Sequence, residues 1–147
     1  MNQQSNGELF TTIVLEMFKV GGMLNAQGDD MAEEFGMSSA RWKVLGAIAK
    51  AQTALTVAQI ARTMGQSRQA TQRIADVMVK DGLLQWQDNP NHKRAKLTML
   101  TPEGEKIYQQ LDLKQSHWAD SAAEKISREQ LEHTYATLQL MAKHFES

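Results

Sequence analysis

The 147-residue sequence contains no cysteine. Disulfides, thiol nucleophiles, thiolate metal ligands and regulation by cysteine oxidation are therefore excluded. Long runs of consecutive apolar residues are also absent, since a membrane-spanning helix needs roughly 20 of them, and the N-terminus has no basic segment followed by an apolar stretch. We therefore expect a soluble cytoplasmic protein. Its length and a hydrophobic content of 41% suit a single domain with a real core.

The sequence also has little that indicates catalysis or a resident cofactor. No glycine-rich phosphate loop and no Ser-His-Asp order stand out, and the carboxylates lie in polar stretches. His133 and His144 are three helical turns apart, roughly 16 Å by the helix rise, which is too far for both to bind one ion within one chain. Only a site between subunits could use both. We predict that the protein is not an enzyme and has neither a cofactor nor a metal site.

The charges are strongly segregated although the net charge is only -1. The segment 62–96 carries seven basic and three acidic residues, a net charge of +4, whereas 1–40 has -5 and 101–147 has -3. Exposed charges are screened beyond roughly 8 Å at physiological salt, so a phosphate backbone responds to the local patch. One basic segment between acidic flanks is typical of DNA-binding proteins.

Helical spacing of apolar residues predicts a first helix of about 18 residues, within 7–27. An acidic loop or short turn is expected at 28–36. Ser38 or Ser39 can cap a second helix with a core-facing side. That side consists of Trp42, Leu45, Ile48 and Ala49.

A helix-turn-helix pattern follows. Thr56 and Gln59 form the capping-box pattern of a short third helix that ends at Gly65. Ser67 can cap a fourth helix that ends at Gly82. Its predicted buried side consists of Ala70, Ile74, Val77 and Met78.

A hairpin and two further helices complete the prediction. Residues 83–87 and 96–100 suit two antiparallel strands joined by a projecting loop. Thr101 and Pro102 fit the start of a fifth helix that runs toward Ala123, with Glu103 and Glu105 near its positive end. Ser127 and Gln130 form a capping box for a sixth helix with a heptad-like apolar stripe. The stripe consists of Leu131, Tyr135, Leu138, Ala142 and Phe145.

The outer face of the fourth helix carries side chains that match base edges. Arg can donate two hydrogen bonds to guanine, and Gln can pair with adenine. Ser67 and the first helical N–H groups would suit a phosphate. A solvated polar face is the ordinary alternative, but the preceding short helix, the glycine turn, the lack of acids before Asp76 and the basic hairpin favour DNA recognition. The candidates are Ser67, Arg68, Gln69, Thr71, Gln72 and Arg73.

The hairpin tip adds His92, Lys93, Arg94 and Lys96 to the candidate DNA contacts. A slender basic loop can reach the minor groove, whose negative potential favours an inserted arginine, here Arg94. The alternatives for Arg94 are a solvated charge or a salt bridge to Asp88. Trp86 is expected to pack against the helices rather than stack on bases.

Three patches carry a family resemblance: Arg41-Trp42-Lys43-Val44-Leu45, the segment 67–82, and Asn89-Pro90-Asn91-His92-Lys93-Arg94-Ala95 leading into 97–104. In these patches the chain resembles the MarR family of winged helix-turn-helix transcriptional regulators, over essentially its full length. His92 stands where the family commonly has an aspartate, two residues before the key arginine. The fold class predicted is mainly α with a small β-hairpin wing, with N- and C-terminal dimerisation helices.

The resemblance implies a homodimer in which the first, fifth and sixth helices interleave. Within the single chain 1–147, the winged-helix lobe would span 38–101, and 7–27 and 102–147 would form the dimerisation region. The recognition helices would enter successive major grooves, about 34 to 36 Å apart, on a near-palindromic operator. The broad apolar faces of the terminal helices are compatible with such a dimer.

The resemblance further implies a repressor that releases DNA when a small, often aromatic, ligand enters the cleft between the two parts. Weak candidates for ligand contacts are Met23, Met37, Trp42 and Trp118, although core packing is the more ordinary role for such side chains. Two other functions remain open: a winged helix that binds protein, and a ligand- or metal-responsive sensor without base-specific DNA recognition.

Overall fold

The computed structural model describes residues 3–146, in two compact units that meet in sequence between Leu111 and Asp112. In chain order, the helices and strands are α1 (Asn6–Ala32), a 3-10 turn (Glu33–Phe35), α2 (Ser39–Ala51), β1 (Leu55–Thr56), α3 (Val57–Met64), α4 (Arg68–Lys80), β2 (Leu84–Gln87), β3 (Leu97–Leu100), α5 (Pro102–Ala123) and α6 (Arg128–Phe145). The predicted fold class, mainly helical with a small β-hairpin, is confirmed.

The predicted helix starts are confirmed by their capping hydrogen bonds. The hydroxyl oxygens of Ser38, Thr56, Ser67 and Ser127 each accept a hydrogen bond from the backbone N–H three residues later, at 3.1–3.3 Å. Thr56 and Ser127 form complete capping boxes with their glutamine partners. Local sequence therefore determines where α2, α3, α4 and α6 begin.

The first helix is longer than predicted. The expected loop at 28–36 is wrong for most of its length, because α1 continues to Ala32 and a 3-10 turn follows. The turn ends at Gly36, whose φ of 69° lies in the left-handed region that glycine adopts readily. Gly28, Asp29 and Asp30 therefore lie within a helix, although glycine and acidic residues suggested a loop.

Contacts between α1 and α2 explain why the helix continues. The Ser39 hydroxyl donates to the Asn25 carbonyl oxygen at 2.7 Å, and Asp29 Oδ1 accepts from the Ser39 backbone N–H at 2.7 Å. A Cβ at position 28 would collide with the Ser39 hydroxyl, so Gly28 permits the close approach of the two helices. Asp29 therefore serves the start of α2 rather than a loop.

The apolar side chains of α1 are mostly exposed. By length and composition alone, Asn6–Phe35 is long and apolar enough to cross a membrane, with a mean hydropathy of 1.2 over its most apolar window. The sequence prediction missed the apolar character of this helix, because it considered only uninterrupted runs of apolar residues. A single such helix near an N-terminus is weak evidence of a span, since core helices of soluble proteins and signal sequences share this length and composition. The exposed large apolar residues are Leu9, Phe10, Ile13, Leu15, Met17, Phe18, Val20, Met23 and Leu24.

Three antiparallel strands form the sheet, in the order β1-β3-β2. The two hairpin strands lie within one residue of their predicted limits, and Trp86 pairs with Thr98 across them. The additional strand, β1, was not predicted. It is held by the buried Thr98 hydroxyl, which donates to the Leu55 carbonyl oxygen at 2.9 Å.

The core of the first unit joins these strands to five helices, with α1 contributing Ala32 at its end. Fully buried side chains come from α2, α3, α4, β2 and the first half of α5: Val44, Leu45, Ile60, Met78, Leu84 and Leu111. Thr101 fixes the start of α5, accepting from the Gly104 N–H at 3.1 Å and donating to the Gly82 carbonyl oxygen at 2.6 Å. The hairpin is thereby anchored to the helices on both sides.

Candidate nucleic-acid interface

A groove of about 620 Å³ lies between the outer face of α4 and the hairpin. The start of α3 also contributes to its lining. From α4 it is lined by Arg68, Gln69, Gln72 and Asp76, from the hairpin by Trp86, His92, Arg94, Ala95 and Lys96, and from the start of α3 by Thr56, Val57 and Ala58. The groove thus brings together the outer face of α4 and the hairpin, which the sequence indicated separately as candidate DNA-binding elements.

The core-facing side of α4 determines which residues face outward. Thr71, Ala75 and Met78 are fully buried, at the spacing of one helix face. The predicted buried side was partly wrong, because Val77 is 40% exposed. The face is therefore centred one residue further along the chain than the apolar pattern indicated.

Thr71 requires a correction as a candidate DNA contact. Its side chain has no exposed surface, and its hydroxyl donates to the Ser67 carbonyl oxygen at 2.9 Å. This bond within the helix satisfies the hydroxyl and allows it to be buried at little cost. Thr71 is a core residue and cannot reach a bound duplex.

The other candidates remain accessible. Arg68, Gln69, Gln72, His92, Arg94 and Lys96 come together around the groove. Ser67, Arg73 and Lys93 are exposed but lie outside its lining. The candidates of the basic segment therefore fall into two groups, those that line the groove and those that are exposed outside it.

The hairpin tip is closed by Asn89. Its Oδ1 accepts from the Asn91 N–H at 3.0 Å, and its carbonyl oxygen accepts from the His92 N–H at 3.2 Å. Such a turn needs no aspartate–arginine pair. Within residues 3–146, Arg94 has neither an ion pair nor a hydrogen bond, so the alternative salt bridge to Asp88 is not formed. The Arg94 guanidinium remains available at the groove.

Positive charge dominates the groove. Arg68, Arg94 and Lys96 line it, whereas Asp76 is the one acid among its described lining residues. Asp76 was not a predicted site residue, although its position one helical turn after Gln72 could have indicated a contact. Gln72 Nε2 donates to Asp76 Oδ1 at 2.9 Å.

Trp86 forms part of the groove wall. Its side chain is half-buried and packs against the hydrophobic core, as predicted, while its remaining surface faces the groove. It joins the base of the hairpin to the helices.

The structure separates the weak ligand candidates. Met37 is only 7% exposed and packs in the core, which is the more ordinary role expected for it. Trp42 is partly buried against the same core, and Met23 is 55% exposed on α1. Trp118 belongs to the second unit. Among residues 3–146, no group of three or more His, Cys, Asp or Glu side chains is arranged to hold a metal ion.

The fold and this groove define a class. A short helix, a glycine turn, a second helix with a polar outer face and a basic hairpin are the parts of a winged helix-turn-helix. Residues 35–95 match the model of the MarR family.

Two relatives are similar to the chain in sequence. An uncharacterized protein of Mycobacterium tuberculosis is 36% identical over 97 residues, which are 66% of each chain, so this chain spans just under two thirds of that relative. The transcriptional activatory protein BadR of Rhodopseudomonas palustris is 26% identical over 106 residues, which cover 71% of this chain and 61% of BadR.

Solved structures share the fold over nearly the full length. NadR in complex with 4-hydroxyphenylacetate superposes with a TM-score of 0.82 at 22% identity, covering 99% of this chain and 100% of that chain. The MepR–DNA complex of S. aureus gives a TM-score of 0.72 at 20% identity, with the same coverage. Residues 35–95 thus match the MarR family in sequence, and the chain shares its fold with solved MarR-family regulators. Members of that family are transcriptional regulators and not enzymes.

Proposed function

We propose that the protein is a sequence-specific DNA-binding transcriptional regulator. The observation that carries the proposal is the groove in which Arg68, Arg94 and Lys96 surround the amides of Gln69 and Gln72. Cations attract the phosphate backbone, and amides and guanidinium groups match base edges. The MepR structure, which shares the fold, is a complex with DNA.

In this proposal α4 lies in the major groove and the hairpin reaches the adjacent minor groove. Arg68, Gln69, Gln72 and Arg73 contact base edges, while Ser67 and the first N–H groups of α4 contact a phosphate. Arg94 enters the minor groove. His92, Lys93 and Lys96 contact the backbone at its edges, which supplies affinity without sequence preference.

We propose that the protein is a homodimer in the cytoplasm. The apolar surfaces of α1 and α6 are each largely uncovered, and a second copy of the chain would remove them from water. Segments 7–27 and 102–147 remain the proposed dimerisation region, and 38–101 the proposed DNA-binding lobe. Two-fold symmetry then requires a near-palindromic operator.

We further propose repression that is released by a small aromatic ligand. NadR shares the fold and was solved with 4-hydroxyphenylacetate, whereas BadR is named an activator. Met23, Met37, Trp42 and Trp118 remain the candidate contacts. If the proposal holds, adding 4-hydroxyphenylacetate or a related aromatic acid lowers the measured affinity for DNA. Unchanged affinity across a panel of such acids would count against it.

Titration against a random duplex at two salt concentrations tests DNA binding itself. Phosphate contacts predict that log K falls with log salt by about 0.9 for each neutralised phosphate. A winged helix that binds protein instead would show no affinity even at low salt. A sensor without base-specific recognition would have the same affinity for duplexes of different sequence when they are compared at the same salt concentration.

A further inference from the structure

A hydrogen bond on the outer face of α4 fixes one amide in the groove. Gln72 Nε2 donates to Asp76 Oδ1 at 2.9 Å, and both side chains line the groove. A carboxylate can only accept hydrogen bonds, so its partner must be the amide nitrogen and not the amide oxygen. The pair therefore determines which way the Gln72 carboxamide points.

In this orientation the Gln72 carboxamide still presents one hydrogen-bond acceptor and one donor, which is the pair that adenine requires. In the major groove, adenine offers a donor at N6 and an acceptor at N7, and a glutamine pairs with both. Gln72 Nε2 carries two hydrogens. The proposal requires that Asp76 accept the hydrogen that lies away from Oε1, so that the hydrogen on the same side as Oε1 is left for N7. Within residues 3–146, Gln72 Oε1 accepts no hydrogen bond, so it is left for N6.

Asp76 also weakens non-specific binding to DNA. It is the one acid among the described lining residues, beside three permanent cations. Its carboxylate repels phosphates and so weakens attraction to any duplex. When a duplex excludes water from the groove, the bond to Gln72 strengthens. The repulsion lowers affinity for every duplex alike, whereas the bond to Gln72 contributes only where an adenine faces it, so the bond increases the ratio of specific to non-specific affinity.

We propose that Asp76 is a positioning residue that holds Gln72 for recognition of an adenine in each half-site. The inference rests on the proposed function, in which α4 enters the major groove. Asp76 acts through the Gln72 amide and contacts no base itself.

The test uses full-length protein and a duplex selected from a random pool. Each adenine is replaced in turn by 7-deazaadenine, which lacks the N7 acceptor. The wild type should lose roughly fivefold or more in affinity at one adenine of each half-site. Asp76→Asn should lose this sensitivity, because an amide at position 76 can bond either end of the Gln72 carboxamide. It should also bind random duplex more tightly than the wild type does.

Two variants make the comparison specific. Gln72→Ala should lose the same 7-deazaadenine sensitivity, and adding Asp76→Asn to it should change discrimination no further. Glu105→Gln is the matched control, because Glu105 accepts a comparable bond from Gln109 Nε2 at 3.3 Å on α5, outside the groove. It removes one negative charge and should leave both measurements unchanged.

Two results would overturn the inference alone: a wild type that selects a sequence but tolerates 7-deazaadenine everywhere, or an Asp76→Asn variant that keeps the wild-type sensitivity. The inference would also be overturned if Gln72→Ala and Asp76→Asn reduced sequence discrimination independently, so that the fold losses multiplied in the double variant. A wild type that binds DNA without any sequence preference would overturn the proposed function as well, so the two failures are distinguishable. Thermal unfolding followed by circular dichroism verifies that each variant is folded.

Discussion

Individual cations of the basic segment differ in what they can contact. Arg68 lines the groove on α4, whereas Lys93 is exposed near the hairpin tip and outside the groove lining. A guanidinium can bond two atoms of guanine at once, while a lysine at the backbone contributes charge alone. The two residues should therefore contribute differently to specificity.

Replacing them one at a time checks this difference. Arg68→Ala should reduce discrimination between selected and scrambled duplexes by about 1 to 3 kcal/mol, and Lys93→Ala should weaken both duplexes about equally. Competition binding measures the ratio. Lys106→Ala, which removes an exposed cation of α5 outside the groove, is the control. Equal, sequence-blind losses for Arg68 and Lys93 would remove base recognition from Arg68.

Half of the groove-lining residues were predicted from sequence as DNA contacts, but two residues of α4, Thr71 and Asp76, were not assigned correctly. Arg68, Gln69 and Gln72 follow from helical spacing after the Ser67 cap, because polar residues alternate with an apolar side. Thr71 has a polar side chain, and only its bond to the Ser67 carbonyl oxygen explains its burial. Asp76 was noted as the end of an acid-free stretch, whereas its bond to Gln72 appears only in the structure.

Among the helices and strands, those with strong capping residues were predictable and the shortest was not. The starts of α2, α3, α4 and α6 follow from a serine or threonine that bonds three residues ahead. β1 spans only Leu55–Thr56, too short to show the alternation of a strand. The end of α1 depends on long-range contacts of Gly28 and Asp29 with Ser39, which local patterns do not contain.

The exposed stripe on α6 leads to a prediction about assembly. Leu131 and Leu138 lie on the predicted heptad-like stripe and are each 40% exposed. The double variant Leu131→Glu/Leu138→Glu should convert the proposed dimer to monomer or weaken it strongly, because charges would enter an apolar interface. Sedimentation velocity at several protein concentrations measures the change.

Leu140 provides the matched control for this element. It is 69% exposed and lies on the opposite side of α6 from the stripe. Leu140→Glu introduces the same charge and should leave the dimer intact. A double variant that stays fully dimeric would show that the stripe on α6 is not the dimer seam.

At the scale of the whole molecule, the net charge conceals the surface that matters. A chain with a net charge of -1 carries +4 over 62–96, and the structure brings Arg68, Arg94 and Lys96 from this segment around one groove. Screening limits the reach of the acidic flanks, so the local charge governs contact with a phosphate backbone. The fold class and the match to the MarR family were predictable because the pattern of helices, turn and hairpin spans most of the chain.

Selection of bound duplexes from a random pool by the full-length protein tests the central claim most directly. Two recognition helices related by two-fold symmetry predict a near-palindromic consensus, with half-sites separated by about 10 to 10.5 base pairs. Binding of the selected duplex should weaken steeply as salt increases. A pool that shows no enrichment after repeated rounds, or an enriched sequence without two-fold symmetry, would contradict recognition of DNA by a symmetric dimer.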